Sequence, residues 1–403
     1  MRTARFLKPD PEGCENPGIA IYHLVSRIVD RNFVLGTEEK EHFRMLMRMY
    51  SRFSGCRVLA YCFMSNHIHL LLEVPPGGVG KGESLGLSDE ELLWRLGGLY
   101  STGYVAGVSG ELAAARDLMA GRIVEVEGAA GLAEYDEEGR RRTLESARQQ
   151  GEGMLAAVHE RYSYRMHSLS EFMKGFLQRF TSWFNGMKGR KGTLWEERFK
   201  SVIVEDGLAC RTMAAYIDLN PVRAGICEDP ADYRWSSYGE AVGGGKGEAK
   251  ARAGLVRALH GHSGRAGTAR GWAQGGVAKE YRRILISGAV EQAEKRGNVE
   301  REVRVVTRKG MSKGKGEAEL ERLRSDEARD LKISKVVRCR VRYFTEGAVI
   351  GSKAFVNEVF SASRERFGPK RKDGARKPRG ALQDLAGEIW SLRDLQRGWC
   401  SVF

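Results

Sequence analysis

The stretch Tyr61–Pro75, YCFMSNHIHLLLEVP, constrains the chain most. From His67 to Val74 the side chains alternate: Ile68, Leu70, Leu72 and Val74 make one apolar face, and His67 and His69 project together from the other. That is strand geometry. Ser65 and Asn66 mark a tight turn before it, and the apolar run Arg57–Met64 reads as its antiparallel partner. On one strand face, residues i and i+2 stand roughly 6 to 7 Å apart, so two imidazoles can share a divalent ion. The same spacing also suits satisfied surface or core histidines. His260 and His262 repeat it between glycines, with no alternation to hold them, and are not expected to bind metal.

With 42% hydrophobic residues in 403, the chain can bury a sizeable core and form two or three domains. Seven cysteines without CxxC spacing point to a reduced, intracellular, cytoplasmic protein. No stretch approaches the length needed to cross a bilayer, so no membrane partner is expected. The net charge of +14 points to a polyanion, nucleic acid before ribosome-associated or anionic-membrane partners. Residues 77–160 carry 8 Lys/Arg against 15 Asp/Glu, whereas residues 241–403 carry 36 against 19. The basic surface is therefore concentrated towards the C-terminal end.

Ile19–Val29 reads as a strand, and Thr37 opens a helix to about Phe53 with Phe43, Leu46, Met47 and Tyr50 on its buried stripe. Residues 77–167 read as an acidic helical insertion. Beyond it lie a helix to Met187 with Phe172, Phe176, Phe180, Trp183 and Phe184 buried, a strand Phe199–Glu205, and a helix from Asp206 ended by Pro221. Residues 241–278 read as a Gly-rich linker, and 279–403 as a basic, mostly helical region. Within that region ISKVVRCRVRYF, TEGAVIGS and KAFVNEVFSASRERF suggest a helix-turn-helix, with Ser352 capping the second helix. Lys370, Arg371, Lys372, Arg376 and Lys377 then form a run suited either to solvent or to a phosphate backbone.

On the helix ended by Pro221, Tyr216 and Asn220 are four apart and share a face, so a phenol and a carboxamide can approach one point. Taken alone they read equally as a buried tyrosine and a helix stop. Glu73 shares the strand face of the histidines, but Leu71 intervenes, which argues against a ligand role.

Several separated segments, IYHLVSRIVDRNFVL, YCFMSNHIHLLLEVP, FMKGFLQRFTSWFN, GTLWEERFKSVIVE and AAYIDLNPVRAG, together resemble the single-tyrosine HUH endonucleases, in particular the REP-associated tyrosine transposases, relatives of insertion-sequence transposases. They lie within 19–76 and 168–240, somewhat under a third of the chain; the nuclease core would then be 1–76 with 168–240. The resemblance implies an α+β fold with a ferredoxin-like antiparallel sheet and packed helices. It implies His67 and His69 as the metal pair, Asn220 completing the site, and Tyr216 as the nucleophile. The ion would be Mg2+ or Mn2+. The substrate would be single-stranded, hairpin-forming DNA of the REP or transposon-end kind, cut through a 5′-phosphotyrosine link. Asn66, Arg198, Lys200 and Arg223 are candidate phosphate contacts. The insertion and the long tail depart from compact members of the family.

The expected function is thus a DNA-cleaving and rejoining enzyme, monomeric or homodimeric, in the bacterial cytoplasm at the nucleoid. Two alternatives remain. One is a DNA- or RNA-binding regulator that keeps the fold without the chemistry. The other is a metal phosphodiesterase that activates water, with Tyr216 structural.

Overall fold

The computed structural model describes residues 7–8, 18–122, 136–261, 269–274, 276–290, 292–296, 304–308, 310–323, 342–377 and 388–392. The chain divides into two compact units: Met1–Arg44, Arg57–Glu73 and Trp183–Phe403 in one, Met45–Cys56 and Val74–Ser182 in the other. The strands are β1 Ala20–Arg27, β2 Arg57–Phe63, β3 His67–Val74, β4 Lys200–Val204, β5 Gln292–Arg296, β6 Arg304–Arg308, β7 Val349–Gly351 and β8 Trp390–Leu392. The main helices are α1 Thr37–Ser54, α2 Asp89–Leu96, α3 Thr102–Met119, α4 Glu137–Ser163, α5 Leu169–Met187, α6 Leu208–Asp218, α7 Ser237–Val242, α8 Glu248–His260, α9 Val277–Ala289 and α10 Lys353–Ser361.

The first unit is built on a six-stranded sheet of order β2-β3-β1-β4-β7-β8. β2 with β3, β1 with β4 and β7 with β8 pair antiparallel, whereas β4 and β7 run parallel. Both β1 and β3 are buried along nearly their whole length, as expected of inner strands covered on two faces. Ile21 pairs with Val204 and Val25 with Lys200, so the same face of β1 and β4 carries His23 beside Val202. β5 and β6 form a separate two-stranded ribbon.

The helical stripe of α1 is buried as its spacing predicts, with Phe43, Leu46, Met47 and Tyr50 all inside. On α5 the four phenylalanines are buried, but Trp183 is only half-buried and stacks on His42 at 3.8 Å. The second unit is helical. Ser88 and Ser101 cap α2 and α3 through their hydroxyls, and Gly151 on α4 brings that helix against the backbone of Ala115 on α3.

Three expectations change. The helix expected from Asp206 starts at Leu208, because Gly207 has φ +85°, outside the right-handed helical region, and Asp206 turns its carboxylate to Arg257 at 2.9 Å. It also ends at Asp218. Asn220–Arg223 then forms a separate turn with Pro221 at its start, where a missing N–H costs nothing.

The stretch 241–278, expected to be a linker, instead carries α8, whose Ala251, Leu255, Val256, Ala258 and Leu259 are buried in the sheet's core cluster. A β-carbon at Gly254 would lie 2.6 Å from the Val58 carbonyl oxygen, so this glycine permits helix and strand backbones to touch. Arg257 from the same helix reaches Glu73 at 2.6 Å, which places that carboxylate in a buried ion pair rather than at a metal.

The expected helix-turn-helix also takes another form. Residues 331–341 lie outside the described residues. After them come a short helix, Arg342–Thr345, then β7 on the sheet and α10, capped by Ser352 as expected. Glu205 at the end of β4 accepts hydrogen bonds from the Ser352 N–H and Oγ, fastening this segment to the sheet.

Asp218 ties α6 to α7 and α9. Its buried carboxylate accepts from Ser237 Oγ at 2.7 Å, the Tyr238 N–H at 3.0 Å and Tyr281 OH at 2.6 Å.

The glycine contact gives a signed expectation. Gly254→Ala forces α8 off the sheet and lowers stability by about 2 kcal/mol. Gly110→Ala on α3, where a β-carbon meets nothing, stabilises by up to about 1 kcal/mol through helix propensity. Guanidinium melts of the two variants should move in opposite directions.

Candidate active site

β1, β3 and α6 bring His23, His67, His69 and Tyr216 together. The rings of His67 and His69 lie 4.9 Å apart, close to perpendicular. The Tyr216 ring stands edge-on to His69 at 6.1 Å and to His23 at 6.0 Å. His23 and His69 lie nearly coplanar, 10° apart, with His23 Nε2 and His69 Nδ1 at 2.9 Å. Alternation along β3 and the strand neighbour β1 produce this arrangement, since both put their odd-numbered residues on one sheet face.

Burial sets the charge of the imidazoles. His23 is completely inside, and burial pulls its pKa down to about 4 against the opposing pull of the Phe344 carbonyl, with Arg223 lowering it further. His67 also falls to about 4, by burial and then by the charge of Arg27. His69 is driven well below its ordinary value, first by burial and then by His67, His23, Arg223 and Arg27. All three are neutral at pH 7, the form in which imidazole nitrogen binds metal.

His67 is also oriented. Asn66 donates its amide to the Arg31 carbonyl at 3.2 Å, which turns Oδ1 to His67 Nδ1 at 2.6 Å. Oδ1 only accepts, so the ring carries its proton on Nδ1 and keeps a lone pair on Nε2. Two neutral imidazoles at this separation fit a divalent cation. Among the described residues there is no cluster of three or more His, Cys, Asp or Glu side chains arranged for a metal.

Tyr216 is 1% exposed. Phe344 stacks on its ring at 4.4 Å, and the guanidinium of Arg223 lies 3.9 Å over it. Burial raises its pKa, and the charges of Arg223 and Arg27 partly offset this. Asn220 is engaged with its own helix end: Nδ2 donates to the carbonyls of Tyr216 and Ile217 at 3.2 Å, and Oδ1 accepts from Arg223 at 3.1 Å. Arg223 also donates to the Tyr216 carbonyl at 2.7 Å. The structure therefore joins His67, His69 and Tyr216, while the Asn220 amide bonds within the turn after α6, with one acceptor bond on Oδ1.

Arg198 and Lys200 line a cavity of about 130 Å3 together with Arg27, Arg31, Glu196 and Glu197. Lys370, Lys372, Arg376 and Lys377 are exposed on the loop after α10. Arg371 instead bonds the carbonyls of Asp373 and Gly374 at 3.3 Å and holds that loop. His260 is 3.9 Å from Glu280, and its expected neighbour His262 lies outside the described residues.

Sequence reasoning missed His23, Phe344 and Asp218. A histidine in the middle of IAIYHLVSRIV, an otherwise apolar strand, was a usable signal for the first. Phe344 had none, because its contact with Tyr216 depends on the fold.

The lowered histidine values carry a pH dependence. A group whose folded pKa is depressed from 6.5 to about 4 favours folding in its neutral form. That stability is complete above pH 6.5 and is lost as pH falls towards 4. The metal-free protein should lose a few kcal/mol across this window. Denaturation in chelator at a series of pH values measures the slope, and a flat profile between pH 6.5 and 4 contradicts the neutral burial of His23 and His67.

No helix among the described residues is long and apolar enough to cross a membrane. No curated protein and no solved structure gives a match. Residues 19–79, which carry β1, α1 and the β2–β3 hairpin with both His67 and His69, match the family model described as "Transposase IS200 like", so this part of the chain is similar to IS200-like transposases.

Proposed function

We propose that the protein is a transposase-type DNA strand transferase with a single tyrosine nucleophile, close to the REP-associated branch. The observation that carries this reading is the placement of Tyr216 edge-on to a buried His69 whose ring lies 4.9 Å from that of His67. The β2-β3-β1-β4 core, joined through α1 and α5, has the strand order of a ferredoxin-like sheet, in keeping with the same family. His67 and His69 would hold Mg2+ or Mn2+, with the second lone pair of Asn220 Oδ1 as a further donor. When bound, the cation polarises a phosphodiester and neutralises charge developing on it.

The chain's own residues supply the rest. Tyr216 Oη gives its proton to solvent and forms a bond to phosphorus, and the bond from phosphorus to the 3′ oxygen breaks, that oxygen taking a proton from solvent, which leaves a 5′-phosphotyrosine and a 3′-hydroxyl. Arg223 and Arg27 favour the phenolate that burial disfavours. Arg27, Arg31, Arg198 and Lys200 give the strand a basic path beside the histidines, and the substrate in this reading is single-stranded hairpin DNA.

One observation favours the rival reading of a DNA-binding regulator: Tyr216 is sealed under Phe344. In the strand-transferase reading the Phe344 ring swings aside when DNA enters. The test is a denaturing gel with labelled hairpin oligonucleotides from beside the gene, with Mn2+ or with chelator. A covalent adduct is expected for wild type with Mn2+, absent for Tyr216→Phe, and more abundant for Phe344→Ala. Cleavage without an adduct would mark a water-activating phosphodiesterase, and binding without cleavage in any variant would mark the regulator.

A further inference from the structure

His23 lies on the central strand with no solvent exposure, and both of its ring nitrogens are engaged. Nδ1 is 2.7 Å from the Phe344 carbonyl oxygen, and Nε2 is 2.9 Å from His69 Nδ1. The carbonyl can only accept, so the His23 proton sits on Nδ1. A neutral imidazole has one N–H, which leaves a lone pair on Nε2. The contact of 2.9 Å then requires the proton on His69 Nδ1. His69 in turn keeps its own lone pair on Nε2.

We infer that His23 is a positioning residue that fixes the tautomer of His69 and so selects Nε2 as the atom offered to the cation, with the Phe344 carbonyl as the fixed end of the relay. This rests on the reading of His67 and His69 as the metal pair. It gives that reading a symmetry: Asn66 imposes the same tautomer on His67 from the other side. It also gives the C-terminal segment a role inside the site. Phe344 is 321 residues from His23 in sequence, yet its backbone decides which nitrogen of His69 is a ligand. The relay uses the carbonyl and not the ring of Phe344, so the ring can leave Tyr216 with the relay intact.

A buried histidine that merely satisfies its hydrogen bonds would affect folding and nothing else, so the test reads the tautomer. Full-length protein labelled with 15N-histidine is examined by NMR in chelator, and Mn2+ affinity is measured separately by electron paramagnetic resonance. In wild type, His69 should carry its proton on Nδ1. His23→Leu should abolish that preference and weaken Mn2+ binding by about 10- to 100-fold, as loss of a group orienting a metal-bound histidine does. His23→Gln keeps an acceptor for His69 Nδ1 and should stay within a few-fold of wild type, with circular dichroism reporting the fold of both variants.

A wild-type His69 protonated on Nε2 overturns the relay without any variant. Unchanged Mn2+ affinity in a folded His23→Leu overturns it as well, and so does equal loss in His23→Gln and His23→Leu. Absence of Mn2+ binding by wild type with His69 protonated on Nδ1 sinks the metal reading instead, and with it the role of His23 towards the ion, so the two failures are told apart.

Discussion

Two imidazoles side by side within a sheet are tolerable only while both stay neutral, and much of the surrounding structure serves that condition. His23 and His69 exchange one hydrogen bond between them, and the far side of His23 is closed by a backbone carbonyl. Both nitrogens of His23 and Nδ1 of His69 therefore have partners that need no charge. Arg223 and Arg27 act in the same direction, since a positive charge nearby makes a second one on an imidazole more costly. The carboxylates near the sheet are turned to other partners: Glu73 to Arg257, Asp218 to Ser237, Tyr238 and Tyr281. A free carboxylate against His23 would have raised its pKa and undone the arrangement.

The C-terminal segment belongs to this core. β7 and β8 extend the sheet beyond β4, Glu205 fastens Ser352, and Phe344 touches both His23 and Tyr216. Strands of three residues have too short an alternation to be recognised locally, and a parallel pairing with β4 closes a long loop that local pattern does not report. The sequence TEGAVIGSKAF therefore reads as a turn before a helix, which is correct for α10 and its Ser352 cap but leaves β7 unseen.

Other elements were legible for a physical reason. The HxH strand has a period of two over eight residues, and α1 has a buried stripe at i, i+3, i+4 and i+7, so pattern alone places them. Tyr216 and Asn220 were legible as neighbours on a helix, but the side-chain direction of Asn220 was not. Its amide caps the end of α6, a use that depends on where the helix stops, and the stop at Asp218 follows from a buried carboxylate network formed with residues far along the chain. α8 was lost to its glycines: GGGKGEAKARAG resembles a linker until Gly254 is seen to be where the helix meets the β2 backbone.

The same few positive charges act in the same sense on the two kinds of group at the site, favouring the deprotonated form of each. Arg223 and Arg27 lower the pKa of His69, keeping it neutral, and lower that of Tyr216, moving the phenol towards phenolate. Burial divides the two: it reinforces the cations at histidine and opposes them at tyrosine. Uncovering Tyr216 removes the burial that opposes the arginines at the phenol, while His23 keeps its hydrogen bond to the Phe344 carbonyl. A phosphate entering the basic cavity beside Arg27 would spend part of that positive charge, which weakens its help to the phenolate. In the proposed strand-transferase reading, activation of the phosphodiester would then rest more on a cation held by His67 and His69 than on the arginines.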